Sequence, residues 1–281
     1  MYDAAIVNPI NDNAPRMQRV SGRGHVAFKH ASGRTRLSDL HQSGSAKIRL
    51  PKVYDGVPVA VLINTSGGLT GGDRLTYEAG VDAGGHAIVT SQAAERAYRS
   101  SGGVAEIENR LTAGNGATLE WLPQETILFN ASGLHRTMTV NLSGDARLLA
   151  IESVVLGRTA MGETVDRISF RDRWRIQREG RLVFADDVRL EGDASDILKG
   201  PATAGGGLAF ATLVDCAVDA DTRLGLARDA LGQLKIRAAA SAWNGVLVVR
   251  FVGADGRSLR DGLMTFLETY RSAGLPRVWH C

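Results

Sequence analysis

From Val20 onward, apolar and polar residues alternate with a period of two through most of the chain. Between Thr137 and Leu142, Met138, Val140 and Leu142 take one face, and Thr137, Thr139 and Asn141 take the other. That alternation predicts a half-buried strand. A longer case runs from Arg167 to Gln177. Ile168, Phe170, Trp174 and Ile176 point one way, and Arg167, Arg171, Arg173 and Arg175 the other, with Asp172 as the one polar interruption of the apolar row. The arginine row reads either as a solvated sheet face or as a docking strip for an acidic partner, since opposite charge steers encounter. Turn signals recur at Asp82–Gly85, Ala113–Gly116, Asn130–Gly133 and Ser143–Asp145. Asn115-Gly116 predicts a tight hairpin turn, because both residues tolerate positive φ. No repeat of fixed length accompanies the strands, which argues against a simple repeat array.

The pattern changes near residue 200. Gly200–Gly207 reads as a flexible surface loop. Thr222 to Leu231 predicts a short helix, followed by strands near Leu234–Ala239 and Gly245–Val252. Arg257 to Ala273 predicts an amphipathic helix. Its stripe of Leu259, Leu263, Phe266, Leu267 and Tyr270 suits core or partner packing, and Gly274 and Pro276 end it. Met1 to Arg19 has no sustained period and reads as a flexible tail, leaving one domain over 20–281. The expected fold class is mainly β, with two helices toward the C-terminus.

Composition narrows the function. Hydrophobic content of 44% with 22% charged residues fits a soluble globular protein. A net charge of +3 is too weak to argue for nucleic acid. No apolar run approaches the ~20 residues of a membrane helix, and no secretory signal opens the chain. Cys216 lies in an apolar run and Cys281 is terminal. No disulfide framework is implied, and a reducing cytoplasm is expected. The six histidines form no His-x-x-x-His pair, and there is no Cys-x-x-Cys or Gly-x-Ser-x-Gly. A zinc site or a hydrolase elbow is therefore not expected. His86 reads as structural. His280 and Cys281 are a chelating pair only if the end of the chain is ordered.

The most informative stretch is Leu62 to Leu75, which contains Gly67-Gly68-Leu69-Thr70-Gly71-Gly72-Asp73. Gly67 and Gly72 have the spacing of a phosphate-binding loop, but Asp73 and Arg74 stand where that loop needs Lys and Ser/Thr. The segment after it reads as a strand, so no helix N-terminus is offered to an anion. The glycines are better read as a sharp turn between strands.

This glycine-rich stretch resembles the signature of the UreD (UreH) family of urease accessory proteins. Leu119–Thr126, Leu156-Gly157-Arg158 through Gly162-Glu163, and Leu275–Trp279 agree in the same order, with Gly85-His86-Ala87 and Tyr98-Arg99-Ser100 between them. The resemblance covers about Val20 to Trp279. Asn64-Thr65-Ser66 departs from it, since prolines are common there, and His280-Cys281 is also unfamiliar. The resemblance implies a large helix-like winding of β-strands. It implies a maturation factor that bridges UreF and the GTPase UreG to apo-urease and offers an enclosed path for Ni²⁺. GTP belongs to UreG, and no tightly bound cofactor is implied for this chain.

Carboxylates are the remaining candidate chemistry. Asp73, Glu120, Glu125, Glu152, Glu163, Asp186 and Asp187 lie in or beside apolar strands. Buried charge needs a partner, and Arg74 and Arg158 are plausible ones. The alternative is a wet internal passage on which Asp73, Glu120, Glu152, Glu163 and Asp187 meet Ni²⁺ in transit. Weak, multi-site binding permits onward movement. Partner contact is expected from the 257–273 helix, through Leu259, Leu263, Phe266 and Tyr270, and from Trp279. A competing reading makes Glu120 with Glu125, or Asp186 with Asp187, the acid and base of a carbohydrate-active enzyme. The scarcity of aromatics for a sugar platform weighs against it.

Overall fold

The structure, a computed structural model, describes residues 18–53, 56–158 and 162–281. Of the expected tail, Gln18 and Arg19 are described, and 1–17 lie outside the described residues. Two sheets face each other. The first has the order β14 (Arg181–Gly192), β13 (Ile168–Arg178), β11 (Ser132–Leu142), β8 (Ala105–Ala113), β5 (Arg74–Val81), β1 (Ser21–Ala31) and β2 (Arg34–Gly44). The second runs β16 (Arg237–Trp243), β17 (Val246–Gly253), β15 (Ala209–Cys216), β12 (Arg147–Leu156), β9 (Thr118–Leu122), β6 (His86–Ser91), β4 (Val59–Asn64) and β3 (Ala46–Arg49). Short strands β7 (Glu95–Ala97) and β10 (Thr126–Leu128) extend it beside β12.

From β4 to β13 the chain alternates between the sheets, with β6–β7 and β9–β10 each acting as one interrupted strand, so neighbours along this run are parallel. The result is a β-solenoid of about four turns, closed by antiparallel strands. The hairpin expected at Asn115-Gly116 is not formed. Strands β8 and β9 on its two sides belong to different sheets, and Gly116, at φ 68°, turns a solenoid corner. Turn residues report the reversal of the backbone and are silent on whether its flanking strands pair.

One apolar core fills the space between the sheets, with Phe28, Leu75, Trp121, Met138 and Trp174 among its buried members. A second lies on the outer face of the second sheet, where Leu149, Leu213 and Phe251 meet two helices, α2 (Leu224–Leu231) and α3 (Gly256–Arg271). Strand β12 is buried on both faces, which explains its nearly continuous apolar run. A short turn of α-helix, α1 (Ala194–Ile197), has no periodic signal in the sequence.

Helix α3 starts at a capping box between Asp255 and Ser258 and ends at Ser272, in the left-handed region. Leu259, Leu263, Phe266, Leu267 and Tyr270 are all buried against the second sheet, as is Trp279. Of the two roles read for this stripe, core packing or partner contact, the structure shows the packing. The stripe completes the protein's own core, and the exposed side of α3 carries Arg257, Asp261, Thr265 and Glu268. Gly200–Gly207 is also not an open loop. Gly205 and Gly206 donate to the carbonyls of Gly200 and Leu198 at 2.9 and 2.8 Å, Ala204 is buried, and Arg237 donates to the carbonyl of Ala204.

Candidate functional site: a polar cavity at a break in the second sheet

The second sheet is interrupted where two of its strands pause together. Strand β6 ends at Ser91 and the chain resumes pairing at β7; β9 ends at Leu122 and resumes at β10. Pro123 has no N–H for the ladder, which accounts for the second pause. The two gaps are tied side by side by the Gln124 N–H, which donates to the Ser91 hydroxyl at 2.8 Å. A cavity of about 190 Å³ opens there between the sheets. Its rim includes the exposed Gly67, Gln92 and Arg96, and its wall reaches the buried Trp121, Arg136 and Glu152.

The floor is a charged cluster in the interior. The Arg136 guanidinium donates to both oxygens of Asp172, at 3.1 and 2.6 Å, to the Thr126 hydroxyl at 3.0 Å, and to Glu152. The Trp121 indole N–H donates to the other Glu152 oxygen at 2.9 Å. With both carboxyls ionised, the cluster has two negative charges against one positive. Burial pushes the Glu152 carboxyl up to about 7; Arg136 opposes the shift and Asp172 adds to it. Burial disfavours the charged form of Arg136, yet Asp172 and Glu152 hold its proton more firmly than usual.

Glu95 supplies a second carboxylate. It accepts from the Asn64 amide at 3.2 Å and from the Arg96 N–H at 3.1 Å, and burial raises its pKa. The Tyr77 hydroxyl in the same wall is also shifted upward, by burial and then by Glu95. Asn109 Oδ1 and Gln124 Nε2, both buried and both on residues of this wall, have no hydrogen-bond partner among the described residues. A carbonyl oxygen without a donor costs free energy when buried.

The carboxylates singled out from the sequence do not converge. Glu152 lies on the cavity. Asp73, 2% exposed, accepts from the N–H groups of Val20 and Thr70 at 2.8 and 2.7 Å and so ties the glycine turn to the first strand. Glu120 sits on the helix side of the second sheet between His86, at 2.7 Å, and Arg271; burial works against its charge, and these two partners hold its pKa below the usual value. Glu163 pairs with Arg158 at 2.9 Å. Asp187 lies on the outer face of the first sheet, where Arg171 at 2.7 Å holds its pKa down to about 2 and Arg173 adds to that. Arg74 pairs with Glu106 rather than Asp73. Glu125 and Asp186, proposed above as halves of acid–base pairs, are held by Arg260 and Arg250. Among the described residues, no three His, Cys, Asp or Glu side chains come together in a group able to hold a metal ion. His280 stands 3.8 Å from Glu268 and exposed Cys281 donates to the Arg277 carbonyl at 3.5 Å.

Sequence reasoning missed Arg136 and Glu95. For Arg136 a signal exists: extending the Met138, Val140, Leu142 row back by two puts a charge at an inward position, as Asp172 does on the neighbouring strand. Glu95 lies in a three-residue strand too short to show a period.

The glycine turn and the other signature segments form one knot at the cavity rim. Gly67, Gly68 and Gly72 have positive φ. Tyr98 donates its hydroxyl to the Gly67 carbonyl at 3.2 Å, packs edge-on against Phe129 at 5.1 Å, and Arg158 covers the Phe129 ring at 4.8 Å. On the helix side, Arg260 donates to Gln124 and to the Trp279 carbonyl, and the Trp279 indole donates to the Leu122 carbonyl at 3.1 Å. The C-terminal segment thus braces the sheet break.

Comparison with known proteins agrees with this arrangement of segments. Residues 20–280 match a family described as UreD urease accessory protein. The chain is 48% identical over 268 residues to a protein of Rhizobium etli named urease accessory protein UreD, covering 95% of this chain and 97% of the relative. It is similar, at 47% over 264 residues, to one of the same name from a Chelativorans strain, covering 94% and 95% of the two chains. A third, from Azorhizobium caulinodans, is 42% identical over 266 residues, covering 95% and 98%.

Proposed function

We infer the function from one premise: the chain belongs to the UreD family of urease accessory proteins. We propose that it is a scaffold of urease maturation that joins UreF and UreG to apo-urease in the cytoplasm and passes Ni²⁺ through its interior. Nickel is the cargo, and GTP is used by UreG. The observation that carries this reading is the cavity at the sheet break, with Glu95 at its side and the Glu152–Arg136–Asp172 cluster at its floor.

The chemistry suits transit. With Glu95 and the floor cluster ionised and Arg96 at the rim counted, the cavity carries one excess negative charge, enough to attract a divalent cation without balancing it fully. Burial raises the pKa of both glutamates, so an arriving cation competes with protons for them rather than meeting a permanently charged cage. Carboxylate and amide oxygens bind a borderline cation less tightly than thiolate and imidazole do, and weak binding lets the ion move on. Trp121 and Thr126 fix the floor groups in place.

Deleting the gene and measuring the nickel content of urease tests the role. The expected result is urease protein at normal abundance with little nickel. Nickel-loaded, active urease in the deletion strain would contradict it.

A further inference from the structure

A second cavity, of about 390 Å³, lies beyond the loop that follows β7. Four separate segments build it: Arg99–Gly103 after β7, Ser132 at the start of β11, Arg167 just before β13, and Glu191 near the end of β14. The backbones of the first three are joined, since the Ser100 N–H donates to Ala131 at 2.9 Å and the Ala131 N–H to Arg167 at 2.7 Å. Gly102 and Gly103 are exposed at its edge, and a Cβ at either would meet nothing within 4 Å.

Three side chains here lack partners among the described residues, the exposed Arg99 and Arg167 and the buried Ser132. Neither the Arg99 nor the Arg167 guanidinium has a hydrogen bond or ion pair among the described residues, whereas nearby Arg158 is paired with Glu163. Ser132 is 3% exposed and its hydroxyl is unbonded. A buried hydroxyl in that state is destabilising until it gains a partner. The carboxylate at the rim, Glu191, is engaged by the Ser169 hydroxyl at 3.3 Å and by Arg189 at 3.9 Å.

Two unpaired guanidiniums exclude a cation as the occupant. A lone carboxylate offers one charge and two oxygens. A phosphate near neutral pH carries close to two charges and at least three acceptor oxygens, enough for both guanidinium forks and a hydroxyl. Guanidinium forks match phosphate oxygens in pairs. We propose that this cavity is a binding site for a phosphate-class oxyanion, held by Arg99, Arg167 and Ser132. The shared chemistry is a phosphate group, either free or on a small phosphomonoester. The site is distinct from the sheet-break cavity and does not depend on the nickel role.

Calorimetric titration of the full-length protein at constant ionic strength tests it, with inorganic phosphate, glycerol phosphate and acetate as ligands. Saturable phosphate binding is expected, weakened roughly tenfold or more in Arg99→Gln and in Arg167→Gln, because each removes a charge-assisted contact. Ser132→Ala should weaken it by a smaller factor. Arg181→Gln, at the opposite end of the β13–β14 hairpin, should bind as the wild type does. Equal binding of both phosphates identifies an open site that takes esters; binding of inorganic phosphate alone identifies a site for the free ion. Absence of saturable phosphate binding would overturn the proposal. So would acetate binding as tightly as phosphate, or wild-type affinity in a folded Arg99→Gln/Arg167→Gln variant.

Discussion

Arg136 and Asp172 are register partners on the parallel strands β11 and β13, and both point inward, where the guanidinium donates to both oxygens of the carboxylate. The pair is buried in the core between the sheets. On its own it is a neutral, satisfied unit. Glu152, joined to the same guanidinium, makes the cluster anionic and faces the cavity.

That arithmetic distinguishes the three residues. Removing Arg136 leaves two buried carboxylates without their cation, and breaking a buried pair in this way costs roughly 3–5 kcal/mol. Arg136→Met is therefore expected to be insoluble or strongly destabilised. Glu152→Gln keeps the Arg136–Asp172 pair and brings the cluster to neutrality, so it should fold. Thermal melts of the two purified variants check this; equal loss of stability would contradict it.

The pH dependence has a defined sign. Burial lifts the Glu152 pKa from 4.5 to about 7, so between these values the folded protein holds a proton that the unfolded chain has lost. The stability linked to neutral Glu152 is present in full below about pH 4.5 and is lost as pH rises through about 7. Denaturant unfolding between pH 5 and 7.5 should show a smaller decline in Glu152→Gln than in the wild type. Parallel declines would remove Glu152 from this role.

Gly71 and Gly72 act through the backbone. A Cβ at Gly71 would lie 2.2 Å from the Gly102 carbonyl oxygen and from the Ser100 hydroxyl, and Gly72 has φ 89°. Valine at Gly72 is strained by roughly 1–3 kcal/mol, and valine at Gly71 must displace the 100–103 loop. Both should lower the melting temperature. Micromolar GTP or ATP binding by the wild-type protein would show that the turn serves a nucleotide instead.

The C-terminal segment is a structural brace. Trp279 is 1% exposed and reaches the sheet break through the Leu122 carbonyl. Trp279→Ala should cost roughly 3–5 kcal/mol, and removal of residues 257–281 should uncover the second core and produce aggregation. A truncated protein that stays monomeric and cooperatively folded would refute this.

Much of the fold was legible. The strand expected after the glycine turn is β5, and α3 lies within two residues of its expected limits at either end, because their periods are strong. Which strands pair was not legible, since parallel pairing across a corner leaves no local mark on the sequence. The site was harder. Carboxylates beside apolar residues look alike in sequence whether they cap a turn, as Asp73 does, pair on the surface, as Asp187 does, or line a cavity, as Glu152 does. What separates them is the parity of the position within its strand, together with the break at Pro123.

The central claim is that cations pass the Glu95 and Glu152 carboxylates. Its most direct test is nickel transfer to apo-urease by the assembled UreD-family, UreF and UreG complex carrying Glu95→Gln and Glu152→Gln together, with Asp187→Asn as the surface control. The account predicts normal assembly in every case, wild-type nickel per urease for Asp187→Asn, and a several-fold lower nickel content for the double variant. A double variant that assembles and loads urease with as much nickel as the wild type would contradict it.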